Sequence, residues 1–222
     1  LVGWDDWLPE GKRVAPVLRS LHAAKRSGGD FPDGASETAE LFVRAFMEWL
    51  GEALDEAPRL RLIRHGRTAL NDGRFLGQGS NPGIETAGAA RSWKPDALWC
   101  SPLLRARETA AALFPDVALE GDDRWAEIDY GEAEGLRVDA LAEALPEVIA
   151  AWRRGEDPRF PGGENSTDVA GRAQAALAAI SLNPGETGAV VTHNVVIRCL
   201  VGKLLGLSMS EWVALQIPHE EE

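Results

Sequence analysis

Cysteine is nearly absent: Cys100 and Cys199 are the only two in 222 residues. That excludes a disulfide-stapled scaffold, and a chain of this length can bury a core without one. Both cysteines sit in apolar stretches and read as buried free thiols in a reducing compartment. No CxxC pair or Cys/His spacing of a zinc site occurs. Basic excess is missing too. Lys+Arg number 23 against 35 Asp+Glu, a formal net charge of −12. This balance argues against a general nucleic-acid binder, which needs surplus Lys and Arg, and against docking on anionic membranes. Long apolar runs are also lacking. The most apolar stretch, VVTHNVVIRCLVGKLLGL, is interrupted by His193, Arg198 and Lys203 and does not suit a membrane span. Residues 1–10 hold no basic start followed by an apolar run, so no secretory leader is expected and the default is a cytoplasmic protein.

What is present is ordinary globular material, 45% hydrophobic and 26% charged, in a length that suits one to two domains. Residues 1–57 read as a helical extension. In ETAELFVRAFMEWLGEAL, Leu41, Ala45, Trp49 and Ala53 recur every fourth position, Ser36 fits an N-cap, and Pro58 closes the segment. From there the pattern changes. Short apolar strands are expected at residues 60–63, 97–100 and 189–192, the latter two each followed by a helix-like stretch. Strand then helix, repeated, predicts a parallel sheet with helices on its faces. Two longer helical patterns cover residues 137–154 and 166–180, and residues 212–217 read as a last edge strand. DFPDGASETAELFVRAFMEWL, from Asp30, echoes RFPGGENSTDVAGRAQAALAAI, from Arg159. The echo is either a relic of a duplicated half-domain or two amphipathic helices with similar leading loops.

Three strand ends carry unusual side chains. The first ends in Arg64-His65-Gly66, the second runs into Ser101-Pro102-Leu103-Leu104-Arg105, and the third ends in Thr192-His193-Asn194. Ligands of open parallel sheets bind outside the carboxyl ends of the strands, which puts two histidines and two arginines where a ligand would sit. Arg64 and Arg105 offer planar cationic forks suited to phosphate oxygens. A neutral imidazole between them can attack phosphorus, and their charge holds it neutral. A proton donor for the leaving oxygen is available in DRWAEIDYGEAEG, where Glu127, Asp129, Glu132 and Glu134 are all candidates.

These motifs resemble the histidine phosphatase superfamily, also called phosphoglycerate mutase-like. RHGRTALN, residues 64–71, is similar to the family's RHG-x-T-x-x-N. CSPLLRARETA resembles S-P-L-x-R-A-x-x-T-A, and EIDYGEAEG resembles E-x-D-x-G-x-W-E-G. FPGGEN and VVTHN match the P-G-G-E-S and V-T-H loops, all in family order from residue 60 to about 217. The resemblance implies that His65 is the nucleophile that becomes phosphohistidine. It implies that Arg64, Arg105 and His193, with Asn194 beside it, hold the phosphoryl group. Glu127 would be the general acid and then the base. Asn71 would contact phosphate, and Gly77 and Gln78 would lie in the loop that closes over substrate.

The sequence departs from the family at Arg67, where Glu or Gln is usual, at NPGIET in place of D-x-P-L-T, and at Ala133 in place of tryptophan. Those positions bear on specificity more than chemistry. Glu127-Ile128-Asp129-Tyr130-Gly131 looks like the phosphatase branch rather than the mutases. The expected fold is a three-layer α/β/α sandwich with a mainly parallel sheet, the catalytic domain spanning residues 58–222. The N-terminal helical arm packs on it or on a second copy in a homodimer. The expected activity is metal-independent hydrolysis of a small phosphorylated metabolite, with no cofactor. Phosphoglycerate mutase-type transfer and a non-catalytic phosphate-binding module are the alternatives.

Overall fold

The computed structural model describes residues 56–86, 89–215 and 217–219. The expected N-terminal helical arm, and the Asp30 half of the internal echo, lie outside them. Four strands form one sheet: β1 (Arg59–Arg64), β2 (Ala97–Cys100), β3 (Leu119–Gly121) and β4 (Thr187–Thr192). Their order is β1-β4-β2-β3, and every pairing is parallel. Among the described residues six α-helices accompany them: α1 (Leu104–Leu113), α2 (Leu141–Ala144), α3 (Pro146–Arg153), α4 (Ser166–Ala179), α5 (Asn194–Leu205) and α6 (Met209–Ala214).

The period-2 alternation of the strands splits the core into two layers. Leu62 on β1, Trp99 on β2 and Val190 on β4 join the cluster that contains Val169, Ala173, Val196 and Leu200 of α4 and α5. Ile63, Cys100, Ala189 and Val191 face the opposite side and pack with Ala106, Ala110 and Leu113 of α1. The sheet is therefore sandwiched between helices, as the strand–helix alternation predicts. β4 is an interior strand, paired with β1 and β2, and its last five residues are all buried. Burial on both faces explains why AVVT reads as a continuous apolar run rather than an alternating one.

Three expectations change. The helix over residues 137–154 is broken into a 3₁₀ turn, α2 and α3, because Pro146 cannot continue α2 and instead opens α3 at its first turn. The edge strand over residues 212–217 is helical through Ala214. Ser208 and Glu211 form a reciprocal capping box, and the Trp212 indole donates to the Leu207 carbonyl at 2.9 Å. β3 is a strand that the pattern did not flag, since three residues are too few to show a period. Among the described residues no helix is long and apolar enough to cross a membrane. Cys100 and Cys199 are both buried and free, and burial pushes each thiol up to about 12.

Candidate active site

The register of β1 on β4 pairs Arg64 with Thr192, so the residues that follow, His65 and His193, emerge side by side at the carboxyl ends. Their ring centroids lie 5.0 Å apart. The His65 amide still bonds the Thr192 carbonyl at 2.9 Å, which continues the ladder into the site. His65 Nδ1 is 2.6 Å from the Gly66 carbonyl oxygen. A carbonyl only accepts, so Nδ1 carries the proton and Nε2 the lone pair. Burial, with the guanidiniums of Arg105 and Arg64 and the nearby His219, lowers the imidazole to about 3 against the pull of the Gly66 bond. His65 is thus a neutral imidazole with a defined tautomer.

His193 has the opposite tautomer. Arg105 Nε donates to its Nδ1 at 3.3 Å, and its Nε2 lies 2.7 Å from Ser101 Oγ. An arginine can only donate, so Nδ1 is bare and Nε2–H points to the serine. Burial first, then Arg105 and His65, hold this ring well below the usual histidine range.

Arg105 is fully buried on the first turn of α1. Nη1 donates to the Ser80 carbonyl at 3.0 Å and Nη2 to the Gly77 carbonyl at 2.9 Å. Of its five N–H donors three are bonded, which leaves one on each terminal nitrogen for an oxyanion. The same helix anchors the rest of that loop. Asn81 Oδ1 accepts the Leu104 amide at 2.7 Å, and Glu108 accepts the Ile84 amide at 2.8 Å. The NPGIET departure from the family pattern is therefore a loop that docks on α1.

Glu127 precedes Ile128 in the segment between β3 and α2 and is buried. Its Oε1 accepts the Ile128 amide at 2.9 Å, and its Oε2 lies 3.5 Å from the Val195 amide at the start of α5. Burial raises its carboxyl above the usual range, against the pull of the Ile128 amide and the Arg105 charge. A carboxyl whose hold on its proton is strengthened, in the same site as an unprotonated imidazole, suits the roles of acid and nucleophile. The motif glycines make this possible. Gly131 has φ +50°, and a Cβ there would collide with the Pro161 carbonyl; a Cβ on Gly163 would collide with the Asp129 carbonyl. The two loops lie back to back and exchange the bonds Glu132 N to Pro161 O and Glu164 N to Asp129 O.

The family profile described as the histidine phosphatase superfamily (branch 1) matches residues 60–221. The chain belongs to the histidine phosphatase superfamily. Bifunctional protein Rv2228c of Mycobacterium tuberculosis is 34% identical over 166 residues, which are 69% of this chain and 45% of that protein. The chain thus spans less than half the length of the mycobacterial relatives it matches. The protein named Probable phosphoglycerate mutase GpmB of Salmonella paratyphi C is 31% identical over 163 residues, 66% of this chain and 74% of that one. Among solved structures, mycobacterial glucosyl-3-phosphoglycerate phosphatase Rv2419c superposes with a TM-score of 0.58 at 26% identity, covering 72% of this chain and 85% of the other. The alpha-ribazole phosphatase of Shigella flexneri shares the fold, with a TM-score of 0.60 at 22% identity over 72% of this chain and 86% of that one.

This superfamily member gathers the sequence-derived residues unevenly. His65, His193, Arg105 and Glu127 are all buried, with Arg64 half-buried and close enough for its charge to act on both imidazoles. Asn194 opens α5 directly after His193. Asn71 turns its Oδ1 back onto the Thr68 amide at 2.9 Å, which bends the loop after Gly66. Gly77 spends its amide on Glu134 and its carbonyl on Arg105, while Gln78 is exposed, its Nε2 3.5 Å from Glu164. Arg67 is exposed, and its carbonyl accepts the Glu85 amide at 2.8 Å.

Sequence reasoning missed several contributors. Thr109 accepts the Gly66 amide at 2.9 Å and donates to the Arg105 carbonyl at 2.6 Å, tying the His65 loop to α1. Its position four residues after Arg105, on the same helix face, was the available signal. His219 donates from Nδ1 to the His65 carbonyl at 3.0 Å, and the Arg64 guanidinium bonds the Ile217 carbonyl at 2.6 Å. Nothing in the local pattern marks that return of the chain to β1.

Proposed function

We propose that the chain is a metal-independent phosphomonoesterase that hydrolyses a small phosphorylated metabolite through a phosphohistidine on His65. The observation that carries this reading is the state of His65: neutral by burial and cationic neighbours, with its proton held on Nδ1 by the Gly66 carbonyl. Nε2 attacks phosphorus, and the ester P–O bond breaks. The leaving oxygen takes the proton of the Glu127 carboxyl, which leaves a carboxylate. Water then attacks the phosphohistidine. Glu127 takes its proton, the P–N bond breaks, and inorganic phosphate leaves with His65 neutral again.

Arg105, Arg64 and His193 stabilise the charge on the transferring group, with Asn71 and Asn194 as further contacts. In this reading phosphoryl binding displaces the Arg105–His193 bond, His193 takes its Nδ1–H tautomer with the Ser101 hydroxyl donating to Nε2, and both side chains then donate to the oxyanion. Residues 58–222 carry the chemistry in this reading. The test is phosphate release in EDTA by the wild type and by His65→Ala across a metabolite panel. Release by the wild type with silence in the variant supports the reading; release that survives His65→Ala overturns it.

The likeness to the protein named as a phosphoglycerate mutase supports a second reading, in which the phosphohistidine is passed to a substrate hydroxyl instead of water. A coupled mutase assay primed with a bisphosphoglycerate separates the two.

A further inference from the structure

We infer that Arg172 and Glu164 form a positioning pair for Glu127, fixing the peptide that carries the proton donor; this rests on Glu127 acting as the acid proposed above. Arg172 lies on α4, with Glu164 eight residues before it, and neither was assigned a role from sequence. All five guanidinium donors are used. Nε bonds Glu164 Oε1 at 2.9 Å and Nη2 bonds Glu164 Oε2 at 3.0 Å, a bidentate pair. Nη1 donates to the carbonyls of Arg124 at 2.9 Å and Ala126 at 2.5 Å, and Nη2 also donates to that of Glu127 at 3.0 Å. An arginine with every donor spent inside the protein has none to offer a phosphoryl group, which separates it from Arg105.

The segment it grips is held along its whole length. Thr192 Oγ1 takes the one carbonyl of the run that Arg172 leaves, Trp125, at 2.7 Å. Four successive carbonyls, residues 124–127, are therefore fixed by side chains from α4 and from the end of β4. Glu164 completes the frame on the far side of the acid. Its Oε2 accepts the Asp129 amide at 2.9 Å, and its own amide bonds the Asp129 carbonyl at 2.8 Å. Glu127 thus sits between two backbone stretches tied to one ion pair that is mostly shielded from water, with 17% and 21% of the two side chains exposed. A lysine could not replace this arrangement. A point charge on a flexible stem cannot bond three carbonyls and a carboxylate at once. The energetic logic is that of a supporting shell: a small displacement of a proton donor costs more rate than stability.

The experiment compares wild type, Arg172→Gln, Arg172→Lys, Glu164→Gln and Glu127→Gln on two substrates of unequal leaving group. Phenyl phosphate needs protonation of its departing oxygen, and 2,4-dinitrophenyl phosphate does not. Arg172→Gln is expected to lower kcat/KM for phenyl phosphate by about 10–100-fold and for the dinitrophenyl ester by less than about 3-fold. Glu164→Gln should show the same selectivity more weakly, and Arg172→Lys should recover only part of the loss. The double variant Arg172→Gln/Glu127→Gln should be no slower on phenyl phosphate than Glu127→Gln alone. Equal slowing on both substrates by folded Arg172→Gln, or additive losses in the double variant, would overturn the inference. Should Arg172→Gln fail to fold, the selectivity of Glu164→Gln decides in the same way. A Glu127→Gln variant without leaving-group selectivity would remove the acid itself, and the positioning role with it. A selective Glu127→Gln beside an unselective Arg172→Gln would remove the positioning role alone.

Discussion

Arg105 Nε donates to His193 Nδ1 at 3.3 Å, so one fully buried cation fixes the tautomer of one imidazole while its charge adds to burial in keeping the neighbouring His65 neutral. The same guanidinium ties the Gly77–Ser80 loop to α1. Arg105→Lys keeps the charge but loses the fork. We expect kcat/KM to fall by about 100-fold or more, with weaker inhibition by inorganic phosphate, while thermal stability drops modestly. Steady-state kinetics with phosphate as a competing ligand checks this.

His65 makes a prediction about pH and stability. Its folded value of about 3 lies below the ordinary histidine value of 6.5. Between those two values the unfolded chain binds a proton that the folded chain refuses, so stability present above pH 6.5 is lost as pH falls toward 3. His65→Gln lacks that proton. Urea denaturation at pH 7 and pH 5 should therefore show the wild type losing more stability on acidification than His65→Gln does.

Glu127 has the opposite sign. Its carboxyl is raised by burial, so the protonated acid survives above the usual carboxylate range. The kcat/KM profile of the wild type should fall as pH rises through that raised value, and Glu127→Gln should lack this limb while running about 100- to 10,000-fold slower on an unactivated ester. The pH profiles of the two proteins, taken on one substrate, test it.

Thr109 is a small residue with a large expected effect. Thr109→Val removes the acceptor of the buried Gly66 amide, whose own carbonyl orients His65. The cost should be about 1–3 kcal/mol of stability together with a lower kcat, and Thr109→Ser should restore most of both. Urea denaturation and turnover measured on the same samples compare the three proteins.

Much of this was legible in the residues themselves. β1, β2 and β4 fall within two residues of the strands read from apolar runs, because a short apolar run bounded by glycine or proline has few other solutions. The catalytic candidates could be found because the ends of parallel strands expose whatever follows them, and here that is Arg64-His65 and His193. The three-residue β3 lacked a period, and residues 212–214 were apolar enough to suggest a strand until the Ser208–Glu211 cap decided for a helix. Thr109, Glu164 and Arg172 were invisible for a different reason. Their work is done on backbone amides and carbonyls of distant loops, and a side-chain pattern does not record where those loops pass.

The central claim is a covalent phosphoryl group on His65. Rapid acid-free quenching of the wild type during turnover of a ³²P-labelled phosphomonoester, followed by peptide mapping, tests it most directly. The account predicts alkali-stable, acid-labile label on the peptide containing His65, lost in His65→Ala together with phosphate release. Label on another residue, or phosphate release by His65→Ala at the wild-type rate, would contradict it.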